Sequence, residues 1–66
     1  MKNTLKVERA KLDWTQQQLA DKVGVSRQTI NSIEAERYVP STVLALKIAK
    51  AFKTTVNEIF LLEKGD

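Results

Sequence analysis

The chain has 66 residues, a net charge of +3 from 11 Lys and Arg against 8 Asp and Glu, and neither cysteine nor histidine. That length suits one domain, residues 1–66, with a small core. The missing thiols and imidazoles exclude disulfides, zinc fingers, cysteine nucleophiles, Ser/His/Asp triads and histidine acid–base chemistry. A domain this small that has no disulfide or metal commonly draws support from a partner chain. The modest basic balance permits a phosphate-backbone partner without requiring one. No apolar run approaches a membrane span, and residues 1–4 lead into polar, periodic sequence with no signal-peptide core, so the expected location is cytoplasmic.

With one proline and two glycines, the sequence leaves little room for linkers and reads as consecutive helices. Thr4 or Asn3 caps a first helix over residues 5–12. Asp13 follows where the chain must turn, a residue that tolerates positive φ better than most. Thr15-Gln16-Gln17-Gln18 has the capping-box form and opens a short helix with Leu19, Ala20 and Val23 inward. Gly24 ends that helix by supplying a left-handed residue, and Val25 plugs the gap behind it. Ser26 caps the next helix, residues 27–34, in which Ile30 and Ile33 are the large apolar residues, so its inward stripe is narrow and its outer face polar.

Pro40-Ser41 closes a loop and caps a fourth helix reaching about residue 52. Leu44, Ile48 and Phe52 stand four apart there, with Ala45 and Ala49 alongside, and this is the backbone of the core. Thr55-Val56-Asn57-Glu58 repeats the capping-box form and starts a fifth helix with Val56, Ile59 and Phe60 on one face. The expected fold class is all-α, a five-helix bundle, with the two termini able to pair as a short β-ribbon. Trp14 and Phe52 read as core-edge residues rather than stacking platforms for bases.

Two short helices joined by a glycine-bearing turn, the second capped by serine and presenting amide and guanidinium groups, form a helix-turn-helix. Arg pairs bidentately with guanine O6 and N7, and Asn or Gln with adenine N6 and N7. Arg27, Gln28 and Asn31 therefore suit major-groove reading, and Ser32 adds a short contact on the same face. Free backbone N–H groups at the starts of the two helices favour phosphate oxygens beside Thr15, Gln16 and Ser26. Arg37, in the loop after the reading helix, is the best placed of the remaining cations to meet the DNA backbone.

The runs Thr15-Gln16-Gln17-Gln18-Leu19-Ala20, Gly24-Val25-Ser26-Arg27-Gln28-Thr29-Ile30, Ile33-Glu34 and Pro40-Ser41 resemble the Xre/Cro/phage-repressor helix-turn-helix domain. Ser26-Arg27-Gln28-Thr29-Ile30-Asn31 followed by Tyr38 and Leu44-Ala45-Leu46-Lys47-Ile48-Ala49 is similar to the short stand-alone regulators of that class. The resemblance implies a homodimer on an inverted-repeat operator, usually a repressor, with no ligand domain. It also implies a partly buried ion pair between Arg9 and Glu34. Three residues depart from the pattern: Glu8 for an apolar residue, which would shift the inward face of the first helix, Asp13 for Gly, and Glu36 for Gly, which would strain the turn after the reading helix.

The expected partner is double-stranded DNA, with no cofactor, metal, membrane or small-molecule ligand. An antitoxin or phage-type switch that also binds a partner protein shares the same domain and is the alternative. A protein-docking bundle would present an apolar or acidic third helix, which Arg27, Gln28, Asn31 and Ser32 argue against. An enzyme is the weakest reading, since no paired carboxylates, glycine-rich phosphate loop or nucleophile–base set is visible. Leu61 and Leu62, large and apolar at the end of the chain, point with Phe60 to a dimer interface.

Overall fold

Helices begin where a side chain takes over a free backbone N–H, and three of those starts here are made as the residue types dictate. The computed structural model describes residues 1–66. In chain order the elements are β1 (Lys2–Asn3), α1 (Leu5–Lys11), α2 (Gln16–Val23), α3 (Arg27–Glu34), α4 (Thr42–Ala51), α5 (Val56–Ile59) and β2 (Phe60–Leu61). At α2 the capping box is complete: the Gln18 N–H donates to Thr15 Oγ1 at 3.0 Å, and the Thr15 N–H donates to Gln18 Oε1 at 2.8 Å. Ser26 and Ser41 accept from the third backbone N–H of α3 and α4, from Thr29 and Leu44, each at 3.1 Å. Such a cap contributes about 1 kcal/mol.

Of the other two starts, the first takes the Asn3 alternative and the last differs from the sequence expectation. Thr4 makes no side-chain cap, and Asn3 Oδ1 instead accepts from the Leu5 N–H at 3.2 Å. Thr4 is drawn the other way, its N–H donating to the Ile59 carbonyl at 2.9 Å. Thr55 makes no side-chain capping bond; the Glu58 N–H donates instead to its carbonyl at 3.1 Å.

The ends of α1 to α4 share one device. The N–H groups of Trp14, Val25, Arg37 and Thr54 reach back five residues, to the carbonyls of Arg9 (3.0 Å), Ala20 (3.0 Å), Ser32 (2.9 Å) and Ala49 (2.9 Å). This closure needs a left-handed residue just before the donor. Asp13 (φ 55°), Gly24 (φ 75°), Glu36 (φ 62°) and Lys53 (φ 56°) supply it. Only Gly24 does so freely. For an ordinary side chain the conformation costs about 1–2 kcal/mol, so Glu36 and Lys53 carry strain and Asp13 less of it.

Leu5, Leu19, Ile30, Ile33, Ile48 and Ile59 are the largest fully buried side chains, one from each of α1, α2, α4 and α5 and two from α3. Leu44, Ala45, Ala49, Val23, Ala20 and Phe60 complete the cluster. Glu8 leaves α1's inward face to Leu5 and pairs instead with Lys11 at 3.0 Å. Trp14 and Phe52 stack at the core edge, ring centroids 5.2 Å apart, with Lys22 Nζ 4.7 Å from the Trp14 ring centre. β1 and β2 pair antiparallel, Lys2 opposite Leu61 and Asn3 opposite Phe60. The alternation of a strand turns Phe60 inward and Leu61 outward. Phe60 is thus buried in its own core yet still lines an apolar groove with Val39 and Leu46, while Leu61 and Leu62 stay exposed.

Candidate nucleic-acid interface

The sharp reversal at Gly24 brings the start of α3 to the surface while Ile30 and Ile33 anchor its back in the core. Arg27 and Gln28 stand exposed in its first turn, and the helix's own side-chain hydrogen bonds to other elements come from Asn31 and Glu34. Ser26 is at the same end, its hydroxyl shared between the cap and Thr29 Oγ1 at 2.9 Å. Thr15, at the start of α2, is exposed and engaged in its own capping box.

The expected contact residues fall into two neighbouring clefts. Gln28, Ser32 and Arg37 line one, together with Ser26, Thr29 and Tyr38. Gln16 and Asn31 line the other, with Lys6, Arg9 and Glu34. Tyr38 was not singled out as a contact by sequence reasoning, although it follows Arg37 directly in the loop after α3. It is 49% exposed beside Gln28 and Ser32, where its hydroxyl adds a donor to the groove. Lys6 reaches this cleft because the fold sets α1 beside α3, which nothing in its own sequence neighbourhood signals.

Behind this face lies the Arg9–Glu34 pair. Arg9 Nε donates to Glu34 Oε2 at 2.6 Å and Nη2 to Oε1 at 2.9 Å, a fork that fixes both planes. Arg9 also donates to the Trp14 carbonyl at 2.9 Å, and Gln16 Nε2 to Glu34 Oε1 at 3.2 Å. The Glu34 side chain keeps 7% of its exposure, so the charge is nearly desolvated and depends on these donors. The hydrogen bond to Glu34 raises the Arg9 pKa above its ordinary value, against the opposing effect of burial. A cation with a raised pKa contributes its stability at every pH below the unfolded value and loses it only above, so the guanidinium stays charged at any working pH. The pair sets the roll of α3 against α1 and α2.

A helix-turn-helix family model matches residues 5–59, nearly the whole chain. The chain belongs to the helix-turn-helix family. It is a helix-turn-helix transcriptional regulator, and membership implies DNA as its partner. It is 54% identical over 66 residues to an uncharacterised helix-turn-helix-type transcriptional regulator of Methanocaldococcus jannaschii, the match covering 100% of both chains. It is 48% identical over 64 residues to the uncharacterised regulator YgzD of Bacillus subtilis, covering 97% of each. These relatives are named as regulators, not enzymes. Among solved structures, the clp gene regulator ClgR from Corynebacterium glutamicum matches with a TM-score of 0.76 at 26% identity. That match covers 82% of this chain and 57% of the other, so this helix-turn-helix regulator corresponds to little more than half of that protein. No helix of it is long and apolar enough to cross a membrane.

Proposed function

We propose that the protein is a sequence-specific repressor that acts in the cytoplasm, its 66 residues working as one DNA-binding unit and two copies binding an inverted-repeat operator. The observation that carries this reading is the first turn of α3, where Arg27 and Gln28 are exposed and unengaged beside the phosphate-accepting N–H groups of the same helix start. Arg27, Gln28 and Ser32 meet base edges. Thr15, Gln16, Ser26 and Arg37 lie around them and meet the sugar–phosphate backbone. A domain seated in the major groove occludes the sites it covers, which supports repression.

The homodimer is supported by apolar surface that the fold leaves open. Leu62 is 81% exposed and Leu61 46%, while Val39 and Leu46 line an apolar groove on the α4 side and Val43 is exposed on the same helix. A two-fold dimer sets two reading helices about 34 Å apart, so half-sites should centre about 10 base pairs apart.

Selection of binding sites from random duplexes with purified protein tests the reading. An inverted repeat of that spacing is expected, and Arg27→Ala and Gln28→Ala should each relax preference at distinct bases, at about 1–3 kcal/mol per lost bidentate pair. Unchanged preference in both variants refutes the assignment. Leu61→Asp with Leu62→Asp should lower the sedimenting mass and weaken binding to the palindrome, and no change in either measurement sinks the dimer.

A further inference from the structure

The polar groups between α1, α2, α3 and the loop after α3 form one directed chain. Glu34 Oε1 accepts from Gln16 Nε2 at 3.2 Å, Gln16 Oε1 accepts from Asn31 Nδ2 at 3.5 Å, and Asn31 Oδ1 accepts from Arg37 Nη2 at 3.1 Å. A carboxylate only accepts, and a guanidinium only donates. The two amides between them therefore have one consistent orientation. Gln16 must turn its nitrogen to Glu34, which leaves its oxygen for Asn31. Asn31 must then turn its nitrogen to Gln16, which leaves its oxygen for Arg37. Turning over either amide would set like groups face to face on both its sides. Because Glu34 is itself fixed by Arg9, the order propagates from the nearly buried ion pair out to the exposed Arg37.

Asn31 is the middle link, and that bears on what it does. Bidentate pairing with adenine needs Oδ1 and Nδ2 presented together to the base edge. Oδ1 and Nδ2 of Asn31 each hold one partner within the protein, at 3.1 and 3.5 Å, whereas the side chains of Arg27 and Gln28, exposed like it, hold none. We propose that Asn31 is a positioning residue, one that holds Arg37 toward the DNA backbone and Gln16 against Glu34, and that it reads no base. The proposal rests on the DNA-binding reading above. Its physical content is preorganisation: Arg37 is a long, exposed side chain whose rotamer freedom would otherwise be lost on binding. A phosphate contact carries no sequence information, so the benefit is the same on every duplex.

The test uses the purified full-length protein on its selected operator and on random duplex, at salt low enough for weak variants to bind measurably. Asn31→Ala should lower affinity for both duplexes alike, by about three- to tenfold, the factor expected when a hydrogen-bonded contact loses its support. Base preference should be unchanged at every operator position. In a Gln16→Ala/Arg37→Ala background the same substitution should cost less than about twofold, because both groups that Asn31 held are gone. A loss confined to one base position, an unchanged affinity, or the full factor persisting in that background would each overturn the proposal. Thermal melting checks that the exposed substitution leaves the fold intact, and Asn31→Ser provides the same comparison if the alanine variant folds poorly. Failure of the wild-type protein to select any duplex would instead refute the DNA-binding reading, so the two ideas fail separately.

Discussion

α3 buries Ile30 and Ile33, whereas α4, two residues longer, buries Leu44, Ala45, Ile48 and Ala49. The first helix is held by those two fully buried side chains, and what further sets its roll is polar: the fork between Arg9 and Glu34 and the amide of Gln16. The second is fixed by apolar contact alone and leaves apolar residues, Val43 and Leu46, on its outside. The difference follows from the work each surface does. A reading helix must spend most of its circumference on polar groups, so a few directional bonds have to supplement its narrow apolar stripe, while a core helix can rely on area. Hydrophobic burial is tolerant of small rotations, and forked hydrogen bonds are not.

The largest expected effect strikes the apolar side of this comparison. Ile48→Ala should destabilise the fold by about 2–5 kcal/mol, since a fully buried side chain leaves a cavity that small neighbours cannot fill. A domain of this size has only about 3–10 kcal/mol to lose, so chemical denaturation followed by circular dichroism should show a chain largely or wholly unfolded. A loss below about 1 kcal/mol would mean that α4 is not the principal anchor.

The polar side should give a smaller loss of a different character. Arg9→Ala should cost about 2–3 kcal/mol, because Glu34 would be left nearly buried with only Gln16 to satisfy it. Lys11→Ala, which breaks the exposed Glu8–Lys11 pair, should stay within about 0.5 kcal/mol. Under conditions where both chains are folded, the Arg9 variant should also bind DNA more weakly than the Lys11 variant, since α3 loses its fixed roll. Equal melting temperatures for the two variants would show that the ion pair is not structural.

Much of this division could be read from the sequence, and the part that could not has a physical reason. The Thr15–Gln18 capping box, the Ser26 and Ser41 caps, the reversal at Gly24 and the core stripe of α4 depend on residues a few positions apart, so local chemistry determines them. The Arg9–Glu34 pair lies 25 residues apart and was accessible only through the family resemblance. Nothing local revealed the engagement of Asn31, because its partners Gln16 and Arg37 come from different elements. Helical spacing puts Phe60 on the face of Val56 and Ile59, one residue beyond the end of α5. The chain is already a strand there, and the two-residue alternation sends Phe60 inward. The left-handed turn at Lys53 leaves no compositional mark, since the residue is not glycine, asparagine or aspartate.

The finest distinction between the two helices is at their ends, which are built alike: Glu36 closes α3 at φ 62° and Lys53 closes α4 at φ 56°, each followed by an N–H that reaches back five residues. Glycine would relieve about 1–2 kcal/mol of left-handed strain at either position. It would also add backbone entropy to the unfolded chain, about 0.4–1 kcal/mol in the opposite direction. Glu36→Gly and Lys53→Gly should therefore each stabilise the fold by about 0.5–1 kcal/mol, visible as a rise of a few degrees in melting temperature. Their effects on DNA binding should part company. Glu36 is exposed beside Arg37, next to the surface assigned to phosphate, so removing its negative charge should raise affinity on every duplex and more so at low salt. Lys53 borders a groove with Trp14, Lys22 and Lys50, away from Gln28 and Ser32, and its loss should leave operator affinity unchanged. Equal gains in stability with equal shifts in DNA affinity would mean that the α3 end is no nearer the duplex than the α4 end, and the assignment of Arg37 to the backbone would fall with it.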